Sequence, residues 1–293
     1  MKVQVTAGLD GSRESFAAAA WAAREAVRRE VPLHLIHVEE RPFTPAIPYP
    51  IAAYDAERSA GLLRDTAERC RGDHPGLEVT TERAHGRAGP LLTSAANESD
   101  LMVLGSRGFS GFMGFLVGSV SLAVVGSSHQ PVVLVRAGSA SAPAAGGAPG
   151  QGSGEILVGA DLRHPNAPVL AFAFQEAARR GATVRVVHGW TLPGPSAYAI
   201  VADPGIDEMV GGHVAHALAE LVGPLRRSYR DVPVIEEAVV GAAGIQLVEA
   251  SKAAELVVVG RRRHPAPLGP HLGHVAHAVI HHCAAPVAVV PFG

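Results

Sequence analysis

Cysteine is almost absent: Cys70 and Cys283 are the only two in 293 residues, and they stand on different halves of the chain. Two thiols cannot build the disulfide framework of a small secreted fold, and their scarcity fits a reducing cytoplasm. Charge is scarce too. Charged residues make up 18% and the formal net charge is −2, which removes any broad electrostatic pull toward nucleic acid or an acidic membrane. Long apolar runs are also missing. The stretch from Phe115 to Val125 is too short to cross a bilayer and is interrupted by Gly118, Ser119 and Ser121. The opening MKVQVTAGLDGS carries one lysine and a short alternation, so it reads as a first strand and not as a signal peptide. The expectation is a cytoplasmic protein with neither nucleic acid nor membrane as partner.

What is present is apolar residue in quantity, 47% of the chain, at a length that allows two ordinary domains with a core each. The chain also repeats itself. KVQVTAGLDGS at Lys2–Ser12 and EILVGADLR at Glu155–Arg163 are short apolar strands that close on Gly-x-Asp, with Asp10 and Asp161 at an offset of 151. PLHLIHV and TVRVVHGW follow at the same offset, pairing His37 with His188. The offset then becomes 155: Gly86 pairs with Gly241, DLMVLG with ELVVVG, and PVVLV with PVAVV. Between the copies, AGSASAPAAGGAPGQGSG holds almost nothing but Gly, Ala, Ser and Pro, the composition of a flexible linker. The expected domains are 1–137 and 154–293, joined by a linker over 138–153.

Inside each copy apolar runs alternate with longer helical patterns. In the first copy the pattern gives strands over 2–8, 32–38, 77–84, 100–105 and 131–136. Helices run from about Ser12 to Glu30, about Ile51 to Arg71, after Gly89, and from Ser119. The continuously apolar strands at 101–105 and 131–135 suit a sheet covered on both faces. Strand–helix alternation with short connections implies α/β architecture: two tandem open parallel five-stranded sheets flanked by helices, with right-handed crossovers, Rossmann-like. Ligands of such sheets bind beyond the carboxyl ends of the strands where strand order reverses.

One loop carries the chemical signal. Gly105-Ser-Arg-Gly108 leaves a buried strand, and ten residues beyond Gly108 the segment Gly118-Ser119-Val120-Ser121 enters a helix. Gly105 and Gly108 let backbone N–H groups approach a ligand with no Cβ between. Gly118-Ser119 puts free N–H groups and a hydroxyl at a helix N-terminus, where phosphate is favoured. Ser119 is the natural N-cap and Ser121 adds a hydroxyl in the first turn. Asp10, at the end of the first strand, stands beside this loop in a parallel sheet, so phosphate binding is preferred over a merely structural loop. No Gly-Lys-Ser/Thr follows, which excludes a Walker loop.

Gly105-x2-Gly108-x9-Gly118-Ser119 after Val-Leu-Gly resembles the nucleotide-binding signature of universal stress proteins. Both halves of the chain share the likeness, as in a tandem universal stress protein of the actinobacterial type. The resemblance implies the adenine nucleotide alpha hydrolase-like fold and an ATP, with or without Mg²⁺, lying across the carboxyl edge of the sheet. It places Asp10 against adenosine with Gly8 and Leu9 beside it, and Val38 at the adenine. Gly105, Gly108, Gly118, Ser119, Val120 and Ser121 then hold ribose and phosphates. From the residues alone, Val38 is equally a core residue, and Asp10 equally a turn residue that caps the first helix. The resemblance also implies pairing of the two domains through their last strands, Val132–Val135 and Val287–Val290, which as apolar edges need cover. It leaves open a homodimer.

The second copy departs from the signature. Gly260 and Gly273 keep their places and Asp161 survives, but Arg263 replaces the second glycine and His274 the serine. Pro265, Pro267 and Pro270 stiffen the loop and delete donors. A degenerate second site is the expectation. His271, His274, His277 and His281 share a helical face, but no carboxylate or cysteine arrangement completes a metal site, so no metal is expected. A pH-sensitive contact is the other use of such a face. The function read from the residues and the resemblance is an ATP-binding regulator of stress physiology acting without turnover. A slow ATPase and a nucleotide-free scaffold are the competing classes. Proline-rich segments from Pro42 to Pro50 and Pro193 to Pro204 are expected as flaps near the sites.

Overall fold

The computed structural model describes residues 2–40, 49–106, 117–138, 154–164, 166–191, 205–263 and 272–293. Gly108, Pro265, Pro267, Pro270, His271, most of the linker and almost all of the two proline-rich segments lie outside these residues. The chain divides into two compact units.

The first unit runs β1 (Val5–Leu9), α1 (Arg13–Arg29), β2 (Leu33–Glu39), α2 (Tyr49–Asp73), β3 (Val79–His85), α3 (Ala88–Glu98), β4 (Leu101–Gly105), α4 (Ser119–Ser127) and β5 (Val132–Val135). Every pairing is parallel, and the strand order is β3-β2-β1-β4-β5. β1 and β5 are buried at every position and β4 at all but the last, as helices on both faces require. The order reverses between β1 and β4, so the carboxyl ends of those strands flank the switch point.

α1 shows how the sequence sets one element. Ser12 caps it, its side chain accepting from the Ser15 N–H at 3.1 Å. Glu14 in the first turn and Arg28 and Arg29 in the last complement the helix dipole. A stripe of alanines with Trp21 forms the buried face, and the helix stops at Glu30 in the left-handed region at φ 56°. α3 begins at Ala88 with Arg87 at the cap position, so Gly89 lies inside its first turn and not ahead of it.

The second unit repeats the plan: β6 (Glu155–Gly159), α5 (Ala167–Arg180), β7 (Thr183–Trp190), α6 (Gly205–Ser228), β8 (Val234–Val240), α7 (Ala243–Ala250), β9 (Leu256–Arg262), α8 (His274–His282) and β10 (Val287–Phe292). Its strands, again parallel, are ordered β10-β9-β6-β7-β8. The repeat extends to buried detail. Glu25 in α1 and Glu176 in α5 are each fully buried, and each is held by arginines one turn on. Among the described residues no helix is long and apolar enough to cross a membrane.

Candidate functional site

In the first unit the chain leaves β1 at Leu9 and turns into α1 over Asp10, Gly11 and Ser12. Gly11 takes a φ of 81°, which an L side chain rarely adopts. Asp10 closes the turn: its Oδ1 accepts from the Ser12 N–H at 2.9 Å and the Ser12 hydroxyl at 2.5 Å. Asp10 is therefore a turn residue with an exposed carboxylate, while the cap of α1 is Ser12. Partial burial pushes the Asp10 carboxyl up, but hydrogen bonds from the hydroxyl and N–H of Ser12 and from the Ser15 hydroxyl outweigh it. The net displacement is below the ordinary carboxylate value.

Across the switch point stands the N-terminus of α4. Its cap is Gly118, extended at φ −64° and ψ 146°, with no side-chain hydrogen bond and no acid in the first turn. This corrects the assignment of Ser119: it is the first helical residue, exposed, with its hydroxyl outside the capping position. The first bond across the cap runs from Leu122 N to Gly118 O at 3.0 Å, which leaves the N–H groups of Ser119, Val120 and Ser121 ahead of it. The Ser121 hydroxyl is committed to the Gly105 carbonyl at 3.0 Å and ties the helix start to the end of β4.

Two other helix starts in this unit already hold an oxygen. Ser12 serves α1, and Glu40 Oε1 accepts from Ala88 N at 2.6 Å at the start of α3. That carboxylate shows what such an end attracts. Among the described residues the α4 start has no such partner.

Gly105, which the sequence offers as ligand clearance, and Gly8, which the resemblance places beside adenosine, both have internal reasons to be glycine. A Cβ on Gly105 would lie 2.7 Å from the Glu14 carbonyl carbon and 2.8 Å from Ser15 N, so the bare backbone lets α1 press on the end of β4. A Cβ on Gly8 would lie 2.6 Å from Leu104 Cδ2 in the core. Leu9 is buried, and Val38 is half-buried opposite Ala84 at the end of β2.

Sequence reasoning assigned no role to His37, yet its Nδ1 donates to the Leu9 carbonyl at 2.7 Å. Its counterpart His188 donates to the Ala160 carbonyl at 2.9 Å. The shared histidine at one offset was the available signal.

The second unit differs at the ends of its strands. β9 and β10 continue their ladder two pairs beyond Gly260, through Pro291↔Arg261 and Phe292↔Arg262, whereas β4 and β5 stop at Gly105↔Val135. A Cβ on Gly260 would lie 2.7 Å from the Phe292 ring and 2.9 Å from Val169 Cγ2. The Arg262 guanidinium sits 5.8 Å from the centre of that ring. Where the first unit has Val38 the second has Gly189, and the start of α7 fills that space: a Cβ there would lie 2.5 Å from Ala243 Cα. Asp161 Oδ1 accepts from Arg163 N at 2.9 Å and its Oδ2 meets His164 Nδ1 at 3.3 Å. Gly273 caps α8 without a side-chain bond and His274, the first residue of that helix, is exposed; Arg263, just past β9, is exposed as well.

On α8 the rings of His277 and His281 lie 4.3 Å apart. Desolvation, then His281 and His282, push the His277 imidazole below its ordinary value. Among the described residues no group of three or more His, Cys, Asp or Glu is placed to hold a metal ion.

Comparison with known proteins agrees on one group. The profile of the Universal stress protein family matches residues 3–136 and again 153–291. A universal stress protein of Mycobacterium tuberculosis is 33% identical over 293 residues, spanning 97% of this chain and 96% of its own. A second from that organism is 29% identical, spanning 97% and 95%. Among solved structures, a universal stress protein from Archaeoglobus fulgidus shares the fold with a TM-score of 0.70 at 18% identity, over 99% of this chain and 98% of that one.

Proposed function

Since the chain belongs to the universal stress protein family, matched once in each half, we propose that its first unit is an adenine-nucleotide site that takes one ATP. The observation that carries this is the start of α4, a helix N-terminus with no side-chain cap bond and no acid in its first turn, together with a β4–β5 ladder that ends at Gly105↔Val135 beside the strand end that presents Asp10. Phosphates gain the N–H groups of Ser119, Val120 and Ser121 and the hydroxyl of Ser119, in a helix field that favours negative charge. Asp10, kept ionised by Ser12, accepts from ribose hydroxyls. Val38 lines the base. Mg²⁺ accompanies ATP only as a counter-ion of its phosphates.

The second unit is proposed to take none. Phe292 and the continued β9–β10 ladder occupy the strand ends from which a phosphate loop would depart. The protein then acts as a cytoplasmic stress-response regulator through nucleotide-dependent conformation or association. Its domains are 1–137 and 154–293, joined by the linker 138–153. Pairing of the last strands, Val132–Val135 with Val287–Val290, is part of the same proposal.

The test is to denature freshly purified protein and identify what is released, then titrate the stripped protein with ATP by calorimetry. One equivalent per chain, weakened at least about tenfold by Gly118→Ala, is expected. Two equivalents would refute the closed second unit. No binding at all would leave a scaffold, and steady phosphate release abolished by Asp10→Ala would make it an ATPase.

A further inference from the structure

We propose that His37 is a positioning residue of the nucleotide site: its Nδ1–H, bonded to the Leu9 carbonyl, fixes the strand end from which Asp10 is presented. The proposal rests on the reading of the first unit as a nucleotide site, and it concerns a residue that touches no nucleotide.

The geometry begins with the bond itself. A carbonyl oxygen can only accept, so at 2.7 Å the proton must sit on Nδ1, and the contact sets the tautomer of the ring. Leu9 and His37 are register partners in the β1–β2 ladder, and theirs is the last pair of it. Past that pair the chain has only Asp10, Gly11 and Ser12 before α1 begins. Gly11, which takes a φ of 81°, lends this turn no stiffness, since without a Cβ it has the widest backbone freedom of any residue. Asp10 is thus held from two sides. Ser12 grips its carboxylate from the helix side, and His37 grips the carbonyl of the residue before it from the strand side. With either grip released, the exposed carboxylate is free to leave the line of β1.

The second copy repeats the module. His188 Nδ1 bonds to the Ala160 carbonyl at 2.9 Å, the residue directly before Asp161, and Asp161 closes the same kind of turn on Arg163 N at 2.9 Å. The two histidines therefore do the same work for the fold and differ only in what they serve. That difference separates positioning from plain stability.

The experiment compares His37→Leu with His188→Leu in the full chain. Leucine matches much of the ring's volume and cannot donate. Equal falls in thermal midpoint are expected from the two variants. Only His37→Leu is expected to raise the Kd for ATP with Mg²⁺, by about tenfold or about 1.4 kcal/mol. His37→Asn, which places an amide N–H where Nδ1 stands, restores affinity to within about threefold of the parent; His37→Gln, whose amide reaches to where Nε2 stands, does not.

Titration of the Asp10 carboxyl by NMR in nucleotide-free protein supplies an independent readout. It moves up in His37→Leu, because the Ser12 bonds loosen, and stays put in His188→Leu. Equal ATP affinity in the two leucine variants, or an unmoved Asp10 titration, overturns the proposal. If the parent protein binds no ATP, the nucleotide reading fails by itself, and the Asp10 titration still decides whether His37 positions the turn. Should His37→Leu fail to fold, the Asn and Gln pair decides: equal effects refute positioning.

Discussion

Replacing Gly105 with alanine should damage the first unit more than replacing Gly8, although the raw distances rank the two the other way. The added Cβ lies 2.6 Å from its nearest neighbour at Gly8 and 2.7 Å at Gly105. Carbon atoms rest at about 3.5–4.0 Å, so each substitution forces an overlap of nearly 1 Å. What differs is the obstacle. At Gly8 it is Leu104 Cδ2, the end of a rotatable side chain, with Leu92 Cδ2 at 3.4 Å and Met102 Cε at 3.5 Å already in ordinary contact. At Gly105 it is the carbonyl carbon of Glu14 and the nitrogen of Ser15, backbone of the first turn of α1. That turn is pinned by the Ser15 N–H on the Ser12 hydroxyl at 3.1 Å and the Ser15 hydroxyl on the Ser12 carbonyl at 2.9 Å. A leucine methyl can rotate away; a capped helix must move as a body.

Overpacking costs about 1–3 kcal/mol. Gly8→Ala should cost about 1 kcal/mol and Gly105→Ala about 3 kcal/mol. The chain has two tryptophans, Trp21 in α1 and Trp190 at the end of β7, so a Trp190→Phe background leaves Trp21 to report on the first unit alone. Urea unfolding followed by its fluorescence gives the two values. Because Ser12 holds Asp10, Gly105→Ala should also weaken ATP binding, while Gly8→Ala should spare it. If Gly8→Ala proves as costly as Gly105→Ala, or more so, the distinction between yielding and unyielding obstacles is wrong here.

Glu30 ends α1 at φ 56°, where its counterpart Gly181 ends α5 at φ 62° without penalty, so Glu30→Gly should raise first-unit stability by up to about 1 kcal/mol in the same urea assay. Glu176→Ala should cost about 2–3 kcal/mol, because it strips a fully buried carboxylate from Arg179 and from Arg180, which keeps Glu255 at 3.2 Å as its remaining counter-charge; thermal unfolding of the second unit reads it. The Asp10 carboxyl is held below its ordinary value, so its stabilising share is present above about pH 3.9 and is lost as pH falls through the lower folded value. The stability gap between the parent protein and Asp10→Asn should therefore be flat near neutrality and shrink below about pH 4; a gap that widened on acidification would contradict the assigned sign.

The repeat made the fold legible. Offsets of 151 and 155 in the sequence become equivalent registers in the two units: Val38 pairs with Ala84 as Gly189 pairs with Val239. The switch point followed from strand order, and the α4 start was marked by Gly118-Ser119. What pattern could not reach is contact between residues far apart in sequence. Gly105 was read as clearance for a ligand because nothing local shows α1 returning to lie on it. Serine is the better capping residue, which points by pattern to Ser119, yet the extended residue that the helix requires at that point is Gly118. His37 was seen only as an alignment partner of His188, since its bond crosses to a strand end 28 residues away.

The second unit, proposed above to take no nucleotide, keeps the strand order of the first. Its helix start is as bare as that of the first unit, with Gly273 at the cap and no acid in the first turn. The helix end alone therefore does not distinguish the two units. Strand length does. In the first unit the ladder stops at Gly105↔Val135; Ser106 follows, its N–H on the Val135 carbonyl at 2.8 Å. In the second, two further pairs carry β9 and β10 past the equivalent glycine, and the bare face of Gly260 receives Phe292 from the strand and Val169 from the helix. Buried apolar contact stabilises that arrangement, and the Arg262 guanidinium over the ring adds to it. The same glycine that seats a helix turn in one copy seats an aromatic ring in the other. Retention of Gly260 is thus accounted for by packing against Phe292 and Val169 and is no independent evidence for a second nucleotide.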